Sequence, residues 1–219
     1  MRINKYLALA TGMSRRAADQ AVAEGRVRRN DQLAALGDFV NTKDVILLDG
    51  HVVEAPTTST TIMLNKPVGY VVSRDGQGNP TIYELLPAEY QALKPVGRLD
   101  KDSSGLLLLT NDGQLANELT HPRYAKTKVY EIALDKGLEP LHQQMINDHG
   151  IELEDGNSRL QLEKLDKQGK AWRVTMSEGR NRQIRRTFAA LGYEVINLRR
   201  VQFGAHALGA LPPGHHQIV

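Results

Sequence analysis

The chain has 219 residues, no cysteine, 41% hydrophobic and 24% charged residues, and a formal net charge of +3. That length can bury a sizeable core in one or two domains, and the composition is that of an ordinary globular protein. Disulfides and thiolate metal sites are excluded by the missing cysteines, and no apolar stretch approaches the roughly 18 residues of a membrane span.

The first stretch, MRINKYLALATG, is too short and too interrupted in its apolar run to read as a signal peptide, so a cytoplasmic chain is expected. Residues 2 to 11 have helical spacing, with Ile3, Tyr6, Leu7 and Ala10 on one face and Gly12 as the stop. Ser14 reads as the N-cap of a second helix that Gly25 closes. Short strand-like pieces follow at residues 27–29, 38–40 and 44–48. These elements predict a small module over residues 1–53. Residues 54–61, EAPTTSTT, are polar and without periodicity, which is the pattern of a linker. A second domain is expected over residues 62–219. It opens with a strand, a turn at Lys66-Pro67-Val68-Gly69 and another strand. Residues 106–110 form a short apolar strand and 114–120 a helix; residues 129–134 and 171–176 alternate as strands. Residues 181–191 predict a helix and 195–201 a further strand. Many strands with few helices give an α+β class, with a mixed, largely antiparallel sheet flanked by helices.

Charge is unevenly placed. Residues 1–29 carry seven basic residues against two acidic ones, and residues 30–56 carry one against five. A basic face made by Arg2, Lys5, Arg15, Arg16 and Arg28 suits phosphate contacts. Arg15 and Arg16 open a helix, where positive charge opposes the helix dipole, so an anion there would explain them. A second basic cluster, EGRNRQIRR, spans residues 178–186.

One acid stands out. In GRLDKDSSGLLLLTNDG, residues 97–113, Asp100 precedes a run of four leucines. A carboxylate at the mouth of a buried strand is costly unless it is paired or used.

GRLDKDSSGLLLLTNDG resembles the catalytic motif of pseudouridine synthases, in the branch that contains RsuA and RluB. LNKPVGY resembles the first motif of that branch, KVYEI at 128–132 the motif carrying its active-site tyrosine, and EGRNRQIRRTFAALGYEVINLRRVQFG its C-terminal motif. Residues 1 to about 53 resemble the RNA-binding module named after ribosomal protein S-four. The motifs stand in the expected order over nearly the whole chain. Three features depart from the pattern: VRRNDQLAALGD replaces the usual Asn-Gly turn of the module, Ser103 stands where Thr is common, and the sequence stops at LPPGHHQIV where some members of the branch run on into a long basic tail.

The resemblance implies isomerisation of uridine to pseudouridine in ribosomal RNA. Large-subunit RNA is slightly favoured as the substrate and small-subunit RNA comes next; no metal or organic cofactor is expected. It implies Asp100 as the catalytic carboxylate, Tyr130 against the base and Arg185 as the cation that keeps Asp100 ionised. Attack on the base, attack on the sugar and proton abstraction from the sugar all remain open to such a carboxylate. The target base must leave its stack, which costs a few kcal/mol, so groups that grip the strand are needed. Lys66, Arg98, Arg180 and Arg182 are the candidates. The protein is expected to act as a monomer, with RNA and no membrane as its partner. A non-catalytic, ribosome-associated RNA-binding protein is the alternative. A glycosidase using Asp100 and Asp102 is disfavoured, because two acids in one tight turn rarely span the roughly 5 to 9 Å such chemistry needs.

Overall fold

The computed structural model describes residues 1–56 and 58–219, so Thr57 of the expected linker lies outside the described residues. The chain divides into two compact units: Met1–Thr60 with Ala88–Lys94, and Thr61–Pro87 with Pro95–Val219.

In the first unit, α1 (Ile3–Thr11) stops at Gly12, whose left-handed φ of 76° glycine adopts without a Cβ clash. Helix α2 (Arg15–Ala23) starts where the sequence puts it, with the Ser14 hydroxyl accepting from the Ala17 amide at 3.0 Å. The strands β1 (Val27–Arg29), β2 (Gln32–Leu33), β3 (Ile46–Leu48) and β4 (His51–Val52) form one sheet in the order β2-β1-β3-β4. Asn30 and Asp31 close the β1–β2 hairpin, both at positive φ, as a type I′ turn requires. Asn-Asp therefore does here the work of Asn-Gly. Ile3, Leu7, Ala18, Ala21, Val22, Val27 and Ile46 fill the core beneath the helices. The expected strand at 38–40 is only an isolated bridge from Arg2 to Phe39, because the Asp38 carboxylate turns back to accept from the Ala35 amide at 3.0 Å.

The second unit is built on a nine-stranded sheet. Its strands include β5 (Thr61–Lys66), β6 (Ser104–Thr110), β7 (Lys128–Leu134), β8 (Gln161–Lys164), β9 (Ala171–Met176), β10 (Val195–Phe203) and β11 (His216–Ile218), with helices α3 (Gly113–Thr120) and α4 (Gln183–Ala189). The main path runs β8-β9-β7-β10-β6-β5-β11. Strands β6 and β10 pair in parallel and the other neighbours antiparallel, so the sheet is mixed and largely antiparallel, as expected. Every residue of β5 is buried and Leu106 to Leu109 are fully shielded. Both faces of these central strands are covered, which is why Ile62 to Leu64 and Leu106 to Leu109 are continuous apolar runs and not alternating ones.

Gly105 sits where β6 meets β10. Its φ is +102°, and a Cβ there would lie 2.2 Å from the Arg200 carbonyl oxygen. Only glycine allows the two backbones to meet at this point.

In the second unit two expectations differ from the structure, and two elements were not anticipated. The second strand after the Lys66–Gly69 turn is reduced to a bridge between Val71 and Thr81. The last helix begins at Gln183, because Arg182 takes a left-handed φ of 47° and cannot be a helical residue. The hairpin of Ile151–Leu153 with Gly156–Ser158, and the helical turns from Pro140 to His149, carried too weak a periodicity to be anticipated. Among the described residues no helix is long and apolar enough to cross a membrane.

Candidate active site

Asp100 lies in the loop that leads into β6. The loop is held from the LNKPVGY segment. The Lys66 ammonium donates to the carbonyls of Asp100 (3.0 Å), Ser103 (2.7 Å) and Pro67 (3.0 Å), and the Gly69 amide donates to Lys101 O at 2.8 Å. Within the loop, the Ser103 amide closes a turn onto Asp100 O at 3.1 Å. Lys66 is wholly buried, and burial pushes its ammonium down to about 8. This corrects the expectation that Lys66 grips RNA: a side chain with no exposed surface, and with all three N–H donors committed to backbone, frames the Asp100 loop from within.

The loop opens on a cavity of about 630 Å³. Asp100, Arg98 and Ser103 line it from one side; Lys128 and Tyr130 of β7 and Leu198, Arg200 and Phe203 of β10 line it with them, and Arg180, Arg182 and Gln183 lie ahead of and at the start of α4. The sheet geometry explains the floor. Lys128 and Tyr130 are two apart on β7 and so share a face, and Arg200 stands directly across from Tyr130 in the antiparallel register. Asp100 keeps about a third of its side-chain surface exposed, whereas Tyr130 is 8% exposed.

The cation beside Asp100 is not the one expected. Arg182 Nη1 lies 3.5 Å from Asp100 Oδ2, and the same guanidinium grips Asp102 with two bonds of 3.1 and 3.0 Å. Arg185 has no ion pair with Asp100. Its Nη2 donates to Asp102 O at 2.9 Å, its Nη1 donates to Val195 O, and its Nε lies 3.4 Å from Asp102 Oδ2. Nor does Arg185 line the cavity. The left-handed backbone at Arg182 is the reason: it turns that side chain toward the loop, while Arg185, in the first turn of α4, ties the loop to β10. The Asp102 carboxyl is held below the ordinary carboxylate range, chiefly by the Arg182 hydrogen bonds and then by the charges of Arg185 and Arg182.

The other basic candidates divide in the same way. Arg180 is spent on the 151–158 hairpin, donating to Asp155 O, Asp155 Oδ1, Gly156 O and Asn157 O at 2.8 to 3.0 Å. This corrects its assignment as a strand grip, because those bonds fix the guanidinium in place as a hairpin tie. Arg98 is exposed on the cavity rim. In the first unit Arg2, Lys5, Arg15, Arg16 and Arg28 are all exposed; Arg15 donates to Asn4 Oδ1 at 3.0 Å and Arg28 to Asp31 O. Among the described residues no cluster of three or more His, Cys, Asp or Glu is placed to hold a metal ion.

Two cavity residues escaped the sequence. Lys128 was legible in principle, being two residues before Tyr130 on a strand. Arg200 was not, since only the pairing of β10 with β7 puts it there.

A family model for RNA pseudouridylate synthase matches residues 60–190. The chain belongs to the RNA pseudouridylate synthase family. It is 39% identical to an RNA pseudouridine synthase of Aquifex aeolicus, over 98% of this chain and 88% of that one. It is also 39% identical to the ribosomal large subunit pseudouridine synthase B of Bacillus subtilis, over 97% of this chain and 89% of that protein. A relative of the same name in Xanthomonas campestris is longer: at 38% identity, 94% of this chain matches 44% of it. Among solved structures, a crystal structure of a pseudouridylate synthase aligns over the whole of this chain and 96% of its own, with a TM-score of 0.72 and 30% identity. This pseudouridine synthase is thus an RNA isomerase, and its fold is that of the family.

Proposed function

We propose that the chain converts uridine to pseudouridine in ribosomal RNA, with large-subunit RNA as the preferred substrate, and that Asp100 is the carboxylate that acts on the nucleotide. The observation that carries this is the placement of Asp100. Of the two carboxylates that line the cavity, Asp100 and Glu178, it is the one that stands beside Arg182 on a loop pinned by Lys66 and by Arg185, with Tyr130 in the cavity wall. A volume near 630 Å³ falls in the usual range for small-molecule sites, about 300–1,000 Å³, which suits one extruded nucleotide. Arg182 places a positive charge 3.5 Å from the Asp100 carboxylate, on the cavity side of the loop. The choice of ribosomal RNA rests on the relatives named for the large subunit.

Tyr130 supplies a ring against which a flipped uracil can stack, and a phenol that can relay a proton. In the first unit the exposed arginines and Lys5 of the S-four-like module anchor folded RNA through its phosphates. Linkage to the catalytic unit then raises the effective concentration of the target uridine without new chemistry.

The test is to map pseudouridines in ribosomal RNA from cells with and without this protein, and then with the Asp100→Asn variant. One or more large-subunit positions should lose pseudouridine without it and stay unmodified with Asp100→Asn, although that variant still binds RNA. An unchanged map would end the substrate assignment; full modification by Asp100→Asn would end the role of Asp100.

A further inference from the structure

We propose that Lys128 and Arg200 form a subsite for the carbonyl oxygens of the extruded pyrimidine, which holds the base and takes up the negative charge it gains when the glycosidic bond breaks. This rests on the pseudouridine synthase reading of the cavity and deepens it.

Arg200 is 2% exposed, yet it uses one of its five N–H donors: Nε donates to Leu106 O at 2.8 Å. Nη2 is buried without a hydrogen-bond partner, and no carboxylate lies within ion-pair distance of the guanidinium among the described residues. Buried polar groups are almost always satisfied, so an idle guanidinium on a cavity wall signals an acceptor that arrives with a ligand. Lys128 stands beside it. Its Nζ is 5.3 Å from the centre of the Phe203 ring and the Arg200 Cζ is 4.8 Å from the same centre. The ammonium has long contacts to two carbonyls, Lys126 O at 3.3 Å and Glu178 O at 3.4 Å, which leaves one of its three donors over. Burial pushes the Lys128 ammonium below its ordinary range, and the Arg200 charge adds to this. Glu178 offsets part of the charge at Lys128, but no carboxylate forms an ion pair with Lys128 or Arg200 among the described residues, so packing the two cations on one ring is unfavourable until an anionic or strongly dipolar group enters.

The depth of the corner selects that group. A phosphate of the RNA strand stays at the rim, where Arg98 is exposed. What reaches a residue 2% exposed, beside Tyr130, is the base itself. The chemistry then fits. When the C1′–N1 bond breaks, its electron pair remains on the base, spread over N1, O2 and O4. The base turns about its N3–C6 axis, which exchanges N1 with C5 and O2 with O4. C5 then supplies the pair for the new C5–C1′ bond, the C5 proton leaves and N1 gains a proton, so the product is an isomer. A corner that recognises a carbonyl oxygen by charge accepts O2 before the turn and O4 after it, or the reverse, and stabilises the anion in both settings.

The experiment uses the full chain and single-turnover kinetics at saturating ribosomal RNA. Lys128→Met should slow isomerisation about tenfold or more, with RNA affinity and its salt dependence unchanged, and Lys128→Arg should restore most of the rate. In RNA carrying 5-fluorouridine the base is a better anion and needs less help, so the loss on Lys128→Met, read as disappearance of 5-fluorouridine from nuclease digests, should shrink to about threefold or less. An unaltered rate overturns the subsite. So does weaker binding with a salt slope smaller by about one and a normal rate at saturation, the signature of a phosphate contact. Equal losses on the two RNAs also overturn it, since a merely structural defect ignores the leaving group. If Lys128→Met does not fold, Lys128→Gln carries the same comparison. Wild-type protein that isomerises no ribosomal RNA refutes the underlying function, and the subsite falls with it.

Discussion

Replacing Lys66 with methionine tests how the Asp100 loop is held. The swap keeps most of the side-chain volume and removes the donor of three backbone hydrogen bonds, to Asp100 O, Ser103 O and Pro67 O. Hydrogen bonds from a charged group are worth about 1.5–3 kcal/mol each, so three of them are a large term. Against this stands the burial of the ammonium: a pKa pushed down to about 8 from 10.5 corresponds to about 3 kcal/mol that the methionine variant no longer bears. The difference leaves Lys66→Met less stable by about 2–6 kcal/mol near neutral pH. Urea unfolding with an unchanged m-value measures it. The pH dependence has a definite sign. Lys66 titrates near 8 when folded and near 10.5 when unfolded, so between those values the unfolded chain binds more protons and stability rises with pH. The wild type should therefore gain stability over that window relative to Lys66→Met, which lacks the group. The turnover rate at saturating RNA should fall more than RNA affinity, because it is the aim of Asp100 that is lost. A variant within about 0.5 kcal/mol of wild type, the range of an ordinary surface change, with normal turnover, would show that the three bonds do not hold the loop.

The remaining predictions concern neighbouring parts of the site and the first unit. Arg182→Gln should slow turnover at saturating RNA, whereas Arg185→Gln should chiefly lower stability, by about 1–3 kcal/mol, since it leaves Val195 O and Asp102 O without a donor; equal kinetic effects of the two would contradict the pairing. Because Arg182 holds the Asp102 carboxyl low, wild type keeps stability above the ordinary carboxylate pKa and loses it as pH falls through the depressed value; Arg182→Gln should flatten that acid-side loss in urea titrations. Gly105→Ala should cost about 3 kcal/mol or more, or prevent folding, as its Cβ would meet Arg200 backbone at 2.2 Å; a fully stable variant would mean that β6 and β10 can part there. Arg15→Gln with Arg16→Gln should weaken RNA binding and reduce the salt slope by about 1–2 with an unchanged rate at saturation, as filter binding at several salt concentrations would show.

The sequence by itself determined much of the local structure and where Asp100 stands in it. Helix α1 and its Gly12 stop, the Ser14 cap, the buried leucine strand and the placing of Asp100 at its mouth all depend on near neighbours, for which side-chain periodicity and capping are sufficient. The family could be named for the same reason: its motifs are contiguous runs. Tertiary structure decided the partners. Which arginine meets Asp100 turned on a single left-handed residue at position 182, and a pattern that places 182 and 185 on one helix points to the wrong one. Lys66 looked like a cation available to RNA because sequence does not show burial; three carbonyls from residues near and far in the chain converge on it only when β5 and the Asp100 loop are packed together. Arg200 reached the cavity through the register of β10 against β7, and Gly105 owes its necessity to the backbone of a strand almost a hundred residues away. Pairings between distant segments are fixed by the packing of whole strands, and no window of the sequence contains both sides of them.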